Sequence, residues 1–160
     1  MLDLMPSLRR YARSLTRSDA DGEDLLQDSL ERALVKRGQW SGGSLKGWAF
    51  SIMTNLYRNE TLRAARRRSL PLEEAETIAS ALPPPGDPLE QRRLAAAIDS
   101  LAPDFRAVLM LVVVESMSYR EVANLLQIPE GTVMSRLARA RAQIARFLDT
   151  DNVIPMRRSE

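Results

Sequence analysis

The stretch GTVMSRLARARAQI, residues 131–144, threads Arg136, Arg139 and Arg141 between apolar residues that recur at helical spacing. Arginine carries a planar fork of donors that fits phosphate oxygens and the O6/N7 edge of guanine. At about 100° per residue, Val133, Leu137, Ala140, Ile144 and Leu148 fall on one face and form a core seam. Ser135 and Ala138 lie roughly opposite, Met134 and Arg141 on one shoulder, and Arg136, Arg139, Gln143 and Arg146 on the other. Small residues at the centre of an outer face let a helix approach base edges, while flanking arginines reach phosphates. The solvated side of an ordinary core helix has the same pattern. The upstream context tips the balance: SYREVANLLQI places Ser118 and Glu121 at capping-box spacing, and Pro129 suits the first turn of a last helix. Helices of about nine and nineteen residues around a tight turn make a helix-turn-helix, which points to DNA.

A second cluster lies in the first half. Ser51, Asn55, Arg58 and Leu62 form a stripe beside an apolar face, and Arg63, Arg66, Arg67 and Arg68 extend its basic end. Amides pair with base edges and aromatics stack on bases, so this stripe next to Trp48 suits unstacked bases. Read alone, Trp48 is better explained as a core residue. A third segment, DADGEDLLQDSLERAL, mixes acids with Leu25, Leu26, Leu30 and Leu34. DNA would repel such a helix, so any partner it has is a protein.

Composition removes other chemistries. The chain has neither Cys nor His among its 160 residues, which excludes zinc fingers, thiol redox chemistry, disulfides and nucleophile–His arrangements. The acids fall on solvent faces or in a linker, so no metal, cofactor or catalytic group is expected. The longest apolar run, AVLMLVVV at 107–114, rises about 12 Å as a helix against a bilayer core of about 30 Å. With no apolar signal core at the N-terminus, the expectation is a cytoplasmic protein without membrane insertion. Residues 1–70 hold thirteen bases against eight acids, residues 71–90 five acids and no base, and residues 91–160 ten bases against eight acids. Basic outer segments around an acidic middle suit a polyanion bound at two places.

These sites need helices to carry them. LMPSLRRYARSL reads as an amphipathic helix ending near Arg17. The next helix has capping candidates at Ser18 and Asp19, acids in its first turn, Lys36 and Arg37 in its last, and Gly38 as its stop. A third runs from about Ser44 to Arg67, with Leu45, Trp48, Ala49, Ile52, Met53 and Leu56 facing a core. Residues 69–90 contain five of the nine prolines and no positive charge; Pro83, Pro84, Pro85 and Gly86 cannot continue a helix. A linker is expected there, with a short helical piece near Glu73–Ala81. Beyond it, PLEQRRLAAAIDSL and PDFRAVLMLVVVES read as two helices before the helix-turn-helix, whose last helix runs to about Leu148.

In order and spacing, DGEDLLQDSLERAL, LKGWAFSIMTNLYRNETLRAARRR and LAPDFRAVLMLVVVESMSYREVANLLQIPEGTVMSRLARARAQI resemble bacterial RNA polymerase sigma factors of the extracytoplasmic-function group. The resemblance covers nearly the whole chain except the linker and the last dozen residues. It implies an all-α protein of two small helical domains. A three-helix, region-2-like domain at 1–70 is joined by an acidic, Pro-rich linker at 71–87 to a four-helix, region-4-like helix-turn-helix domain at 88–149. Residues 150–160 form a tail. It implies a non-enzymatic initiation factor that binds core RNA polymerase and directs it to promoter DNA. Asp24, Leu25, Gln27, Asp28 and Arg32 become contacts to the clamp helices of the largest polymerase subunit. Trp48, Ser51, Asn55, Arg58, Asn59, Arg63 and Arg66 become readers of the minus-ten element, where non-template bases are flipped out. Arg120, Thr132, Met134, Ser135, Arg136, Ala138, Arg139 and Arg141 become contacts at the minus-thirty-five element. It also implies an anti-sigma factor as a partner. Two positions depart from the common pattern: Met134, where many members carry Arg or Lys, and Ser116, where many carry Gly. The rival is a helix-turn-helix regulator that acts without polymerase, dimerising on a palindrome; no heptad or spare apolar face supports it.

Overall fold

The computed structural model describes residues 2–68 and 87–156. Seven α-helices account for nearly all of them: α1 (Met5–Leu15), α2 (Asp19–Val35), α3 (Leu45–Arg68), α4 (Pro88–Asp99), α5 (Pro103–Val113), α6 (Tyr119–Leu126) and α7 (Glu130–Met156). No strand occurs among the described residues. The expected linker up to residue 86, its short helical piece and the last four residues lie outside them.

Local chemistry explains the helix ends. Ser18 caps α2, its hydroxyl accepting from the Asp21 amide. Asp87 caps α4 in the same way through the Leu89 amide, with Pro88 in the first turn. Ser118 and Glu121 close a full capping box on α6. Three expectations need correction. α2 stops at Val35, and Lys36, whose amide bonds back to the Arg32 and Leu34 carbonyls, takes the C-cap place given to Gly38. Gly38 instead sits inside a short 3₁₀ turn, Arg37–Gln39. Pro129 precedes α7, its carbonyl accepting from the Thr132 and Val133 amides, and α7 runs on to Met156, so the first residues of the expected tail are helical.

Packing begins with α1 against α2, where Gly22 is buried. A Cβ there would lie 3.0 Å from the Arg13 backbone and 3.1 Å from the Thr16 hydroxyl, so only glycine lets the two helices approach this closely. Tyr11 of α1 is fully buried, stacks on Phe50 of α3 at 5.1 Å, and bonds the Thr54 hydroxyl at 2.8 Å. Burial pushes its phenol well above the ordinary range. In the second half, α7 packs on α4, α5 and α6 through Val133, Leu137 and Ala140. The two halves are not independent. α5 lies against α1 and α3, α6 lies against α3, and one continuous apolar cluster runs from Leu8 to Ala140.

That continuity changes the reading of α3. Of the expected core set, Ala49, Ile52 and Met53 are buried, whereas Leu45, Trp48 and Leu56 are half-exposed. Phe50, Thr54 and Tyr57 are buried as well, because α3 is covered by α1 and α2 on one flank and by α5 and α6 on the other.

Candidate nucleic-acid and polymerase interface

The helix-turn-helix is set by its turn. α6 ends at Gln127 in the left-handed region (φ 57°), where its amide bonds back to Ala123 and its side-chain amide to the Asn124 carbonyl. This single residue reverses the chain so that α7 starts at a new angle. With Val133, Leu137 and Ala140 fully or almost fully buried, the opposite side of α7 faces out. Ser135, Ala138, Arg139 and Arg141 are exposed, Thr132 and Arg136 are half-exposed, and Met134 is 55% exposed. The Ser135 hydroxyl donates to the Thr132 carbonyl, one turn back. Arg120, at the start of α6, pairs with Glu130 at 3.3 Å in an exposed position. A pair that open to water contributes little, so Arg120 can exchange a carboxylate for a phosphate at small cost.

The stripe on α3 is not gathered on one surface. Asn55 is exposed near its middle, with Leu62 (55% exposed) and Arg66 further along. Asn59 and Arg63 line a groove shared with α2, beside Arg32 and Leu56. Trp48 and Ser51 turn the other way, towards α6. Arg58 is engaged by Asp104 of α5 at 2.7 Å. The residues therefore share a helix but point into three surroundings.

On α2, Asp24, Gln27, Asp28 and Arg32 lie exposed on one side. Leu25 does not join them: it is 2% exposed and packs into the core, because it follows the apolar rather than the acidic period of α2. Of the four leucines named on α2, Leu25 and Leu26 are buried, Leu30 is half-buried, and Leu34 is 64% exposed beside Val35 at 83%. Sequence reading named Leu34 but did not single out this apolar end of the acidic helix; its signal was Leu34 followed by Val35 in the last turn. Asp21, Asp24 and Asp28 line one wall of a groove whose other wall includes Glu60 of α3. Partial desolvation in the groove, and then the charge of Asp28, raise the Glu60 carboxyl above its ordinary value of 4.5.

A raised carboxyl binds its proton more tightly in the folded chain than in the unfolded one. It therefore lowers stability as pH rises above the unfolded value near 4.5 and through the raised folded value, and the penalty is complete at neutral pH. Glu60→Gln is accordingly expected to raise the melting temperature at pH 7 and to leave it unchanged near pH 4. Thermal melts at the two pH values check this; an equal gain at both would contradict it.

Among the described residues no group of acids is arranged to hold a metal ion, and no helix is long and apolar enough to cross a membrane.

Comparison with known proteins follows the same division. Residues 91–144 match the family model of Sigma-70 region 4, and residues 1–54 match that of the sigma-2 domain of PhyR. The chain is 34% identical over 154 residues to the ECF RNA polymerase sigma factor EcfG of Rhodopseudomonas palustris, covering 94% of this chain and 84% of that protein. It is 34% identical over 145 residues to the ECF RNA polymerase sigma factor SigE of Mycolicibacterium smegmatis, covering 87% of this chain but only 56% of the relative. Among solved structures, the sigma factor RpoE of Bartonella quintana, in complex with the anti-sigma factor NepR, superposes with a TM-score of 0.75 at 29% identity, over 94% of both chains.

Proposed function

The chain belongs to the extracytoplasmic-function RNA polymerase sigma factors, an all-α family of DNA-binding regulators rather than enzymes, and on that premise we propose how it divides the work of initiation. α2 docks on the clamp helices of core RNA polymerase through Asp24, Gln27, Asp28 and Arg32. α3 captures the unstacked non-template strand of the minus-ten element, and α7 reads the minus-thirty-five element in the major groove. The observation that carries this reading is the disposition of α7. Its apolar seam is buried, while its small and basic residues face out behind a capped helix and a three-residue turn at 127–129. That is the geometry a recognition helix needs to reach base edges. The acidic face of α2 supports the protein partner, since it would be repelled by DNA. An anti-sigma factor is a further partner we infer from the RpoE–NepR complex, in which a related chain is bound by one.

Co-elution with core RNA polymerase in size exclusion tests the assignment: a shared peak supports it, and separate peaks overturn it in favour of the polymerase-independent regulator.

Met134 then becomes a determinant of which promoter is read. Exposed on the shoulder of α7, it offers an apolar surface suited to a thymine methyl where many relatives offer a cation. Met134→Arg is expected to change base preference at one position of the minus-thirty-five element, with overall affinity kept or raised. Selection of bound duplexes from a randomised pool checks this, and identical preferences for both proteins would reduce Met134 to a bystander.

A further inference from the structure

α7 is basic where it faces out, with one exception. Between residues 130 and 148 it carries Arg136, Arg139, Arg141 and Arg146 against a single acid, Glu130, its first residue. A carboxylate at the leading end of a helix that docks on DNA is repelled by phosphates, so its place there needs a reason. One reason is ordinary: an acid in the first turn complements the helix dipole. The surroundings of Glu130 supply another.

Glu130 is exposed, and its Oε1 accepts from Arg120 Nε at 3.3 Å. At about 100° per residue it falls on the same shoulder of α7 as Met134, one turn further on, and Arg141. That shoulder therefore begins with an acceptor, continues with an apolar group and ends with a cation. The leading residues of a recognition helix are the ones that contact base edges. Approach is open there: Gly131 is exposed and helical, and a Cβ added to it would meet nothing within 4 Å. The fold does not demand glycine at this position, and glycine weakens a helix relative to alanine. Its missing side chain lets another molecule come close to the backbone beside Glu130.

We propose that Glu130 reads a base: its carboxylate accepts from the exocyclic amine of a cytosine in the minus-thirty-five element, and the Arg120–Glu130 pair is the form these side chains take before DNA arrives. The proposal rests on α7 being the minus-thirty-five reader. An ionised carboxylate can only accept. In the major groove guanine and thymine offer it acceptors, so both are rejected. Adenine sets its amine beside the N7 lone pair, which repels a second carboxylate oxygen, whereas cytosine presents the amine alone. On docking, Arg120 turns from the carboxylate to a backbone phosphate. Each charge then keeps a partner, the guanidinium on phosphate and the carboxylate on the amine. A pair as open to water as this one separates at little cost.

The test uses the full chain with core RNA polymerase, in run-off transcription from promoters randomised across the minus-thirty-five element. The wild type is expected to favour cytosine at one position of one strand by about tenfold. Glu130→Gln keeps the size of the side chain and sets a donor beside its acceptor, the pair that matches adenine N6 and N7. The preference at that position should move from cytosine to adenine. Glu130→Ala should flatten it and leave the other positions as they are. Arg120→Ala should lower transcription from all promoters alike and keep the cytosine preference, since a phosphate contact carries no sequence information. A wild type without a cytosine preference overturns the proposal. So does a preference that survives both Glu130 variants, because a residue that serves only the helix dipole changes stability and not base choice. Failure of the underlying reading looks different: wild-type transcripts would depend on no base of the upstream element.

Discussion

Asp24→Arg is expected to separate the protein from core RNA polymerase while leaving its contact with promoter duplex intact. Asp24 is exposed on the acidic side of α2, one turn before Asp28 and across a groove from Glu60. Reversing its sign places a cation where a basic partner surface would sit, and a like-charge contact across an interface costs several kcal/mol. The folded chain should not suffer. The new side chain remains in solvent, and the acids lining the groove, whose charge adds to desolvation in raising the Glu60 carboxyl, gain a counter-charge. Loss of co-elution with polymerase, with an unchanged or higher melting temperature, is the expected pair of results. A variant that still co-elutes would move the docking surface off α2.

The opposite pattern is expected for α7. Arg136→Ala or Arg139→Ala removes a fork that, on the proposed reading, meets a phosphate or a guanine, and one well-placed fork is worth about 1–3 kcal/mol. Promoter-directed transcription should fall by about tenfold or more for each, since every 1.4 kcal/mol is about tenfold. Polymerase binding should be untouched, because both arginines lie on α7 rather than on the proposed docking helix α2, and the α7 seam is formed by Val133, Leu137 and Ala140. Transcription assays and co-elution on the same preparations check this. If Asp24→Arg and Arg136→Ala showed the same defect, the separation of a polymerase face from a DNA face would fail.

How much of this was legible in the sequence depends on how local the determinant is. The Ser18 cap, the Ser118–Glu121 box and the α7 seam were all readable, because each depends on residues within one or two turns of each other. α3 was read less well. A one-sided period assigns one buried stripe, but α3 is covered on two flanks, so Phe50 and Tyr57 also went inside. Leu25 was assigned to a surface by resemblance although its own period places it in the core. The polar ties between the two halves were out of reach for a different reason. Arg106 finds Ser14 across 92 residues and Glu115 finds Arg10 across 105, and no local pattern names such partners. The visible trace was two charges, Arg106 and Glu115, flanking the most apolar run of the chain at 107–114. Ser116 left a trace as well: it adopts φ 53°, a left-handed conformation that glycine takes without strain. A residue with a Cβ costs about 1–2 kcal/mol in that conformation.

The central claim is that this chain supplies promoter choice to a polymerase that lacks it. Run-off transcription by core RNA polymerase on a promoter library, with and without the protein, tests that claim most directly. The account predicts transcripts from a restricted set of promoters that share two short elements, present only when the protein is added and lost with Arg139→Ala. The same transcripts with and without the protein would contradict it.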